Sequence, residues 1–114
     1  MAVEYVPKEQ AVMEFSKLYP DGEERKRRGI KKAVSKHREE LFYVQGVARF
    51  LGRHQEIVTV EDVRNAVEGA GKQWTLFNAA GAIFQTNDWQ WMGYVRAKRP
   101  EAHARIIKTW RLKR

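Results

Sequence analysis

The cationic side chains of this chain are concentrated in two blocks, and their chemistry is the neutralisation of negative charge. Residues 23–38 hold eight Lys and Arg against two Glu, and residues 96–114 hold eight against one Glu. The remaining stretches are mildly acidic, although the whole chain carries a formal charge of +8. Two blocks of one sign on an acidic body favour a polyanionic partner, either nucleic acid or an acidic protein surface.

No residue pattern for catalysis or metal binding accompanies these blocks. The chain has no cysteine, and its three histidines, His37, His54 and His103, are scattered without ligand spacing. It contains no glycine-rich phosphate loop and no nucleophile elbow. A nuclease needs carboxylates gathered at the basic surface to hold a metal, and the basic blocks hold almost none. We therefore expect a non-enzymatic protein with no metal and no other cofactor.

Length and composition predict one globular domain in the cytoplasm. The 114 residues suit a single hydrophobic core, which the apolar share of 43% can fill. No apolar run approaches the roughly 18 residues of a membrane span. The first residues lack the basic and apolar stretches of a secretory signal. We expect no contact with a membrane.

Apolar periodicity predicts three helices in the first half of the chain. The first begins near Pro7, a residue suited to the first helical position, and ends at the turn of residues 20–22. A basic helix near 23–36 and a core helix near 39–53 follow. One continuous helix over 23–53 is the alternative, because no proline interrupts the pattern.

The centre of the chain predicts a short strand and two further helices. Residues 57–58 form a minimal β-segment, and Thr59 is an N-cap residue for a short helix that ends near Glu68. After a glycine turn, apolar residues predict another helix over roughly 74–86, with Thr75 as its cap.

After residue 88 the apolar period changes from near 3.6 residues to two. Alternating segments over 89–96 and 105–112, joined by a polar loop, predict an antiparallel hairpin. The order helix, strand, helix, helix, hairpin is that of a winged helix-turn-helix, in which the hairpin is the wing. We therefore predict a mainly α fold with a C-terminal β-hairpin. Residues 1–38 would form a helical extension, and residues 39–114 the winged-helix domain.

The second half of the chain resembles small winged-helix proteins encoded by bacteriophages and prophages. The matching stretches are VTVEDV at 58–63, NAAGAIF at 78–84, and the hairpin sequence GYVRAKRPEAHAR at 93–105 that leads to Trp110. The chain departs from that family at Ala104, where the family often has glycine after the loop histidine. The resemblance implies a winged-helix fold in a DNA-related setting, near replication or recombination functions.

The predicted nucleic-acid-binding surface has three parts. The second helix of a helix-turn-helix enters the major groove, and polar residues near its start reach base edges. In this chain they are Lys72, Gln73, Thr75 and Asn78. The wing contributes side chains for phosphates or a minor groove. These are Arg96, Lys98, Arg99, His103, Arg105, Lys108 and Arg111. The basic helix would add a second phosphate-tracking face, made of Arg25, Arg27, Arg28, Lys31 and Lys32.

Each part also has an ordinary structural interpretation. The helix at 74–86 can be a core helix with a polar outer face, and lysine and arginine commonly protect the edge of a hairpin. We predict that Trp74, Trp91 and Trp110 lie in the core. Trp89 and Tyr94 are candidates for stacking on an unpaired base.

The expected partner is DNA, with the duplex favoured over single strands. The alternative is a protein–protein adaptor or inhibitor that uses the same basic surface on an acidic partner, because a winged helix serves both purposes. The apolar residues of the N-terminal extension leave a homodimer open as well.

Overall fold

The computed structural model describes residues 3–18 and 38–113, without the side chains of Phe15, Leu18, Phe77, Asn78 and Ala79. This part of the chain has an α+β arrangement of three α-helices and a two-stranded antiparallel hairpin. The predicted basic helix, and the choice between one helix and two over 23–53, lie outside it. None of its helices is both long and apolar enough to cross a membrane.

Helix α1 spans Lys8–Leu18, and helix α2 spans Arg38–His54. The Pro7 carbonyl accepts the first backbone hydrogen bond of α1, from the Ala11 amide at 2.9 Å. The helix therefore begins next to Pro7, as the sequence predicted. One face of α2 is buried, at Leu41, Val44, Ala48 and Gly52. These positions recur every three or four residues, which confirms the predicted core helix.

Helix α3 spans Val60–Gly69 and begins at the predicted cap. The Thr59 hydroxyl accepts from the Asp62 amide at 3.2 Å, and the Asp62 carboxylate accepts from the Thr59 amide at 2.9 Å. This reciprocal capping box satisfies two backbone donors that the first turn would leave unpaired. It also fixes where the chain passes from the short strand into the helix.

The prediction of a helix over residues 74–86 is wrong. Only a six-residue 3-10 helix, Phe77–Ala82, forms there, and it has no side-chain cap, so Thr75 does not cap it. Trp74 and Leu76 are both buried, at 8% and 1% exposure. Residues two apart face opposite sides of an α-helix but the same side of an extended segment. A regular α-helix would therefore turn the two side chains to opposite sides, and the segment before the 3-10 helix, residues 72–76, has no regular secondary structure.

The predicted hairpin is confirmed, with β1 at Trp89–Arg96 and β2 at Ile106–Leu112. The strands pair from Trp89 opposite Leu112 to Arg96 opposite Ile106, with a bulge between Trp91 and Gly93. On its other edge β2 pairs with Val58, whose amide donates to the Trp110 carbonyl at 2.7 Å. The minimal β-segment of the sequence thus joins the hairpin to the helices.

The core lies where α2, α3, the segment after α3 and the hairpin meet. Phe84 is central to it, with its ring stacked 5.4 Å from Trp110 and edge-on 4.9 Å from Trp89. Trp74 and Trp110 pack into this core as predicted. Trp89 is 5% exposed and is a core residue, which removes it as a candidate for base stacking.

The residues before α1 pack on the hairpin and extend it. The Val6 amide donates to the Tyr94 carbonyl at 2.8 Å, along the free edge of β1. The Tyr5 ring lies over Gly93, where an added Cβ would come within 2.9 Å of it. Gly93 also has a φ of 131°, a conformation that glycine adopts without steric cost. This part of the predicted extension is therefore docked against the domain.

Candidate nucleic-acid interface

The loop of the hairpin is attached to α3 by two carboxylates of that helix, Glu61 and Glu68. Glu61 accepts hydrogen bonds from the backbone amides of Lys98 and Arg99, both at 2.9 Å. The Arg99 guanidinium then reaches the C-terminal half of the same helix and donates to Glu68 at 3.0 Å and to Asn65 at 3.4 Å. The loop is held at both its backbone and its side chain, so its position relative to α3 is fixed.

A second ion pair attaches the end of β1 to α1. The Arg96 guanidinium donates to both carboxylate oxygens of Glu14, at 2.6 and 2.9 Å, and to the Ala104 carbonyl at 3.2 Å. Two parallel bonds from a planar guanidinium fix both distance and orientation. Arg96 therefore links three separate segments of the chain.

These contacts change the titration of the acidic partners. The hydrogen bond from Arg96 lowers the pKa of Glu14 below its usual 4.5. The hydrogen bond from Arg99 lowers the pKa of Glu68 in the same way. The same partners raise the pKa of Arg96 and Arg99. All four groups stay charged at neutral pH, and each cation is matched by a carboxylate.

The other cations of the hairpin have no such partner among the described residues. Their side chains make no ion pair and no hydrogen bond there, and all are exposed except the half-buried Lys108. They are Lys98, Arg105, Lys108, Arg111 and Lys113. Arg105, Arg111 and Lys113 are even numbers of residues apart along β2 and its two ends, so they fall on one side of the strand, and Lys108 falls on the other. Three unmatched cations on one side of a strand can contact phosphates of one nucleic-acid strand.

The bulge in β1 places an aromatic pair on the same side of the hairpin as Lys108. It inserts Met92 without a partner, so Trp91 and Tyr94 fall on one face of the hairpin and not on opposite faces. Their rings meet edge to face at 5.4 Å, and Lys108 pairs with Tyr94 across the strands. Trp91 is 48% exposed, so its predicted place in the core is wrong. In the core, the Phe84 ring packs against Trp89 and Trp110, and Trp91 is not part of that aromatic cluster.

The residues predicted to read base edges are not brought together on a helix. The Lys72 ammonium lies 4.1 Å from the centre of the Tyr43 ring, a cation–π contact with α2. Gln73 is exposed and Thr75 half-buried, both in the segment without regular secondary structure before the 3-10 helix. The side chain of Asn78 is outside the described part of the structure, as are Arg25, Arg27, Arg28, Lys31 and Lys32.

The loop around His103 has an unusual backbone. His103 and Ala104 both have positive φ, at 49° and 57°, in the left-handed region. Both side chains are exposed. Ala104 thus adopts a conformation for which glycine is the usual residue.

The acidic side chains that hold the hairpin were not predicted from the sequence. Glu61, Asn65 and Glu68 lie four and three residues apart, so they share one face of α3 and meet the loop together. That spacing was visible in the sequence, but only as charge near a helix end. Nothing in the sequence pairs Glu14 with a residue 82 positions away.

In the described part of the chain, no group of three or more His, Asp or Glu side chains is arranged to hold a metal ion. A scan of protein-family models and searches of curated proteins and of solved structures found no significant match to this chain.

Proposed function

We propose that the chain is a non-enzymatic winged-helix variant that binds DNA through the phosphate-facing cations of its hairpin. The observation that carries the proposal is the set of five hairpin cations without a carboxylate partner: Lys98, Arg105, Lys108, Arg111 and Lys113. The resemblance to phage-encoded winged-helix proteins supports a DNA-related role in the bacterial cytoplasm.

The division of the hairpin cations into matched and unmatched sets supports separate roles for them. Arg96 and Arg99 are neutralised by Glu14 and Glu68, so they position the hairpin on α1 and α3. The unmatched cations are left for a ligand, and their attraction to phosphate does not compete with an internal ion pair. A hairpin held in place loses little conformational freedom when it binds, which favours affinity.

Binding of this kind is largely independent of sequence. A winged helix reads bases by laying a recognition helix in the major groove. The corresponding segment here is the 3-10 helix Phe77–Ala82, which is too short to present several side chains along a groove. Contacts to phosphate carry affinity but no sequence information, so different duplexes of equal length should bind alike.

The exposed Trp91 ring gives single-stranded DNA a contact that a duplex lacks. Stacking on one unpaired base contributes about 1–3 kcal/mol. Replacing Trp91 with alanine should therefore weaken binding of a single strand by roughly tenfold or more, while duplex binding changes little. Equal losses on both forms would exclude a stacking role for Trp91.

The direct test compares two variants of equal charge by fluorescence anisotropy with labelled duplex and single-stranded DNA. In one, the exposed Arg105 and Arg111 are replaced by glutamine. In its control, the exposed Lys8 and Lys17 of α1 are replaced instead. The hairpin variant should lose roughly tenfold or more in affinity at physiological salt, and the control should bind like the wild type.

Two results would contradict the proposal. If both variants lose the same affinity, net charge and not the hairpin governs binding. If the wild type binds neither form of DNA at low salt, the alternative of an acidic protein partner on the same surface gains support.

A further inference from the structure

Helix α2 has an exposed face that carries two large aromatic residues. Phe42 is 79% exposed and Phe50 is 58% exposed, and both are on the side of the helix away from the buried residues. Midway between them is Gly46, which is exposed and would place an added Cβ in open space. Residues four apart share one face of a helix, so these three form a continuous stripe.

The stripe is flanked by opposite charges at its two ends. Glu39 is seven residues before Gly46, and Arg53 is seven residues after it, so each lies two turns away on the same face. Both side chains are exposed and make no ion pair within the described residues. Along this face an acidic residue, an aromatic residue, Gly46, a second aromatic residue and a basic residue follow one another. Their spacing is symmetric about Gly46.

We propose that this face binds a second copy of the chain, with the two α2 helices packed antiparallel and crossing at Gly46. In that arrangement Phe42 of each copy meets Phe50 of the other. Glu39 of each copy meets Arg53 of the other, so both ends of the interface pair opposite charges. A two-fold axis uses the same patch on both copies, and only a self-complementary face satisfies that condition.

The composition of the face fits close helix packing. A glycine at the crossing point lets the two backbones approach, and the phenylalanine side chains on either side fill the space beside it. The face of one 17-residue helix is smaller than the roughly 800 Å² per partner of a standard interface. The dimer is therefore in equilibrium with the monomer, and its population depends on concentration.

Sedimentation of the full chain over a wide concentration range tests the proposal. The weight-average mass should rise from 13.4 kDa toward twice that value. Phe42→Gln should raise the dissociation constant by roughly tenfold or more, the factor expected when one phenylalanine is no longer buried. The control is Met13→Gln on α1, an equally apolar position with 58% exposure, which should leave the constant unchanged.

Charge reversal tests the antiparallel register. Glu39→Arg alone and Arg53→Glu alone each place like charges together and should weaken the dimer by roughly tenfold. The double variant restores opposite pairs and should recover the wild-type constant. Thermal unfolding of each variant at low concentration checks that the monomer remains folded. The antiparallel register would be overturned if the two single variants and the double variant had the same dissociation constant. It would also be overturned if the double variant formed a weaker dimer than either single variant.

Cross-linking gives a readout that does not depend on affinity. The chain has no cysteine, so Gly46→Cys introduces a single thiol at the proposed axis. Two such thiols can form a disulfide only if their Cα atoms come within about 7 Å. Gly69→Cys on α3, where an added Cβ also meets open space, is the matched control. Mild oxidation should give a covalent dimer of the first variant and not of the second. A monomer at every concentration, with no cross-link at residue 46, would overturn the proposal.

Discussion

Two glycines of α2 predict opposite effects of the same substitution. Gly46 faces solvent, and an added Cβ would meet nothing within 4 Å. Gly52 is buried against the hairpin, where an added Cβ would lie 2.9 Å from the Leu112 Cβ and 3.1 Å from the end of the Trp89 ring. Replacing each with alanine therefore separates helix propensity from packing within one helix.

The expected magnitudes follow from these distances. Gly46→Ala should stabilise the fold by about 0.8–1.0 kcal/mol, because alanine loses less backbone entropy in a helix. Gly52→Ala gains at most the same amount. It also forces α2 and β2 apart, since the Leu112 Cβ cannot move without its backbone, and overpacking of this kind costs about 1–3 kcal/mol. The two variants should differ by about 1–3 kcal/mol in their free energy of unfolding.

Urea unfolding followed by circular dichroism measures this difference, at a protein concentration low enough to keep the chain monomeric. Equal slopes in urea for the two variants would indicate that only stability has changed. In thermal unfolding, the midpoints should differ by at least about 4 °C for a domain of this size. If Gly52→Ala proves as stable as Gly46→Ala, the close contact between α2 and the hairpin is refuted.

Two further predictions concern the cap of α3 and the ion pairs of the hairpin. Thr59→Ala removes half of the capping box and should cost about 1 kcal/mol in urea unfolding, whereas Thr75→Ala, which caps nothing, should cost less than about 0.5. The pKa of Glu14 and of Glu68 is lowered in the folded state, so their stabilisation is complete above the usual pKa of 4.5 and is lost as the pH falls through the lowered values. Circular dichroism from about pH 6 to about pH 2 should show wild type losing stability more steeply than a Glu14→Gln variant, and parallel curves would contradict this.

Local signals in the sequence predicted much of the fold. The threonine at 59 with an acid three residues later marks the start of α3, and the change of period after residue 88 marks the hairpin. Both depend on residues close together in the chain, so the sequence contains the whole of each pattern.

The failures arise where distant contacts or a register shift decide the structure. Trp74 and Leu76 are both buried in a core built largely by other elements, and the local apolar period of the sequence does not contain those distant contacts. The bulge between Trp91 and Gly93 shifts the register of the second half of β1, so it places Tyr94 on the face of Trp91, which the strict alternation in the sequence did not predict. The candidate site was predicted in part: the sequence locates its cations, but the carboxylate partner of Arg96 lies 82 residues earlier in the chain.

The salt dependence of DNA binding tests the central claim most directly. Each phosphate neutralised by a cation releases a counterion, and log affinity for a duplex falls with log salt by about 0.9 per contact. The three unmatched cations on one side of β2, Arg105, Arg111 and Lys113, predict a slope of about −2.7, or steeper if Lys98 or residues 23–38 also contact the DNA. Replacing Arg105 and Arg111 with glutamine should make the slope shallower by about 1.8. A wild-type slope near zero would contradict the account, because the hairpin cations would then contact no phosphate.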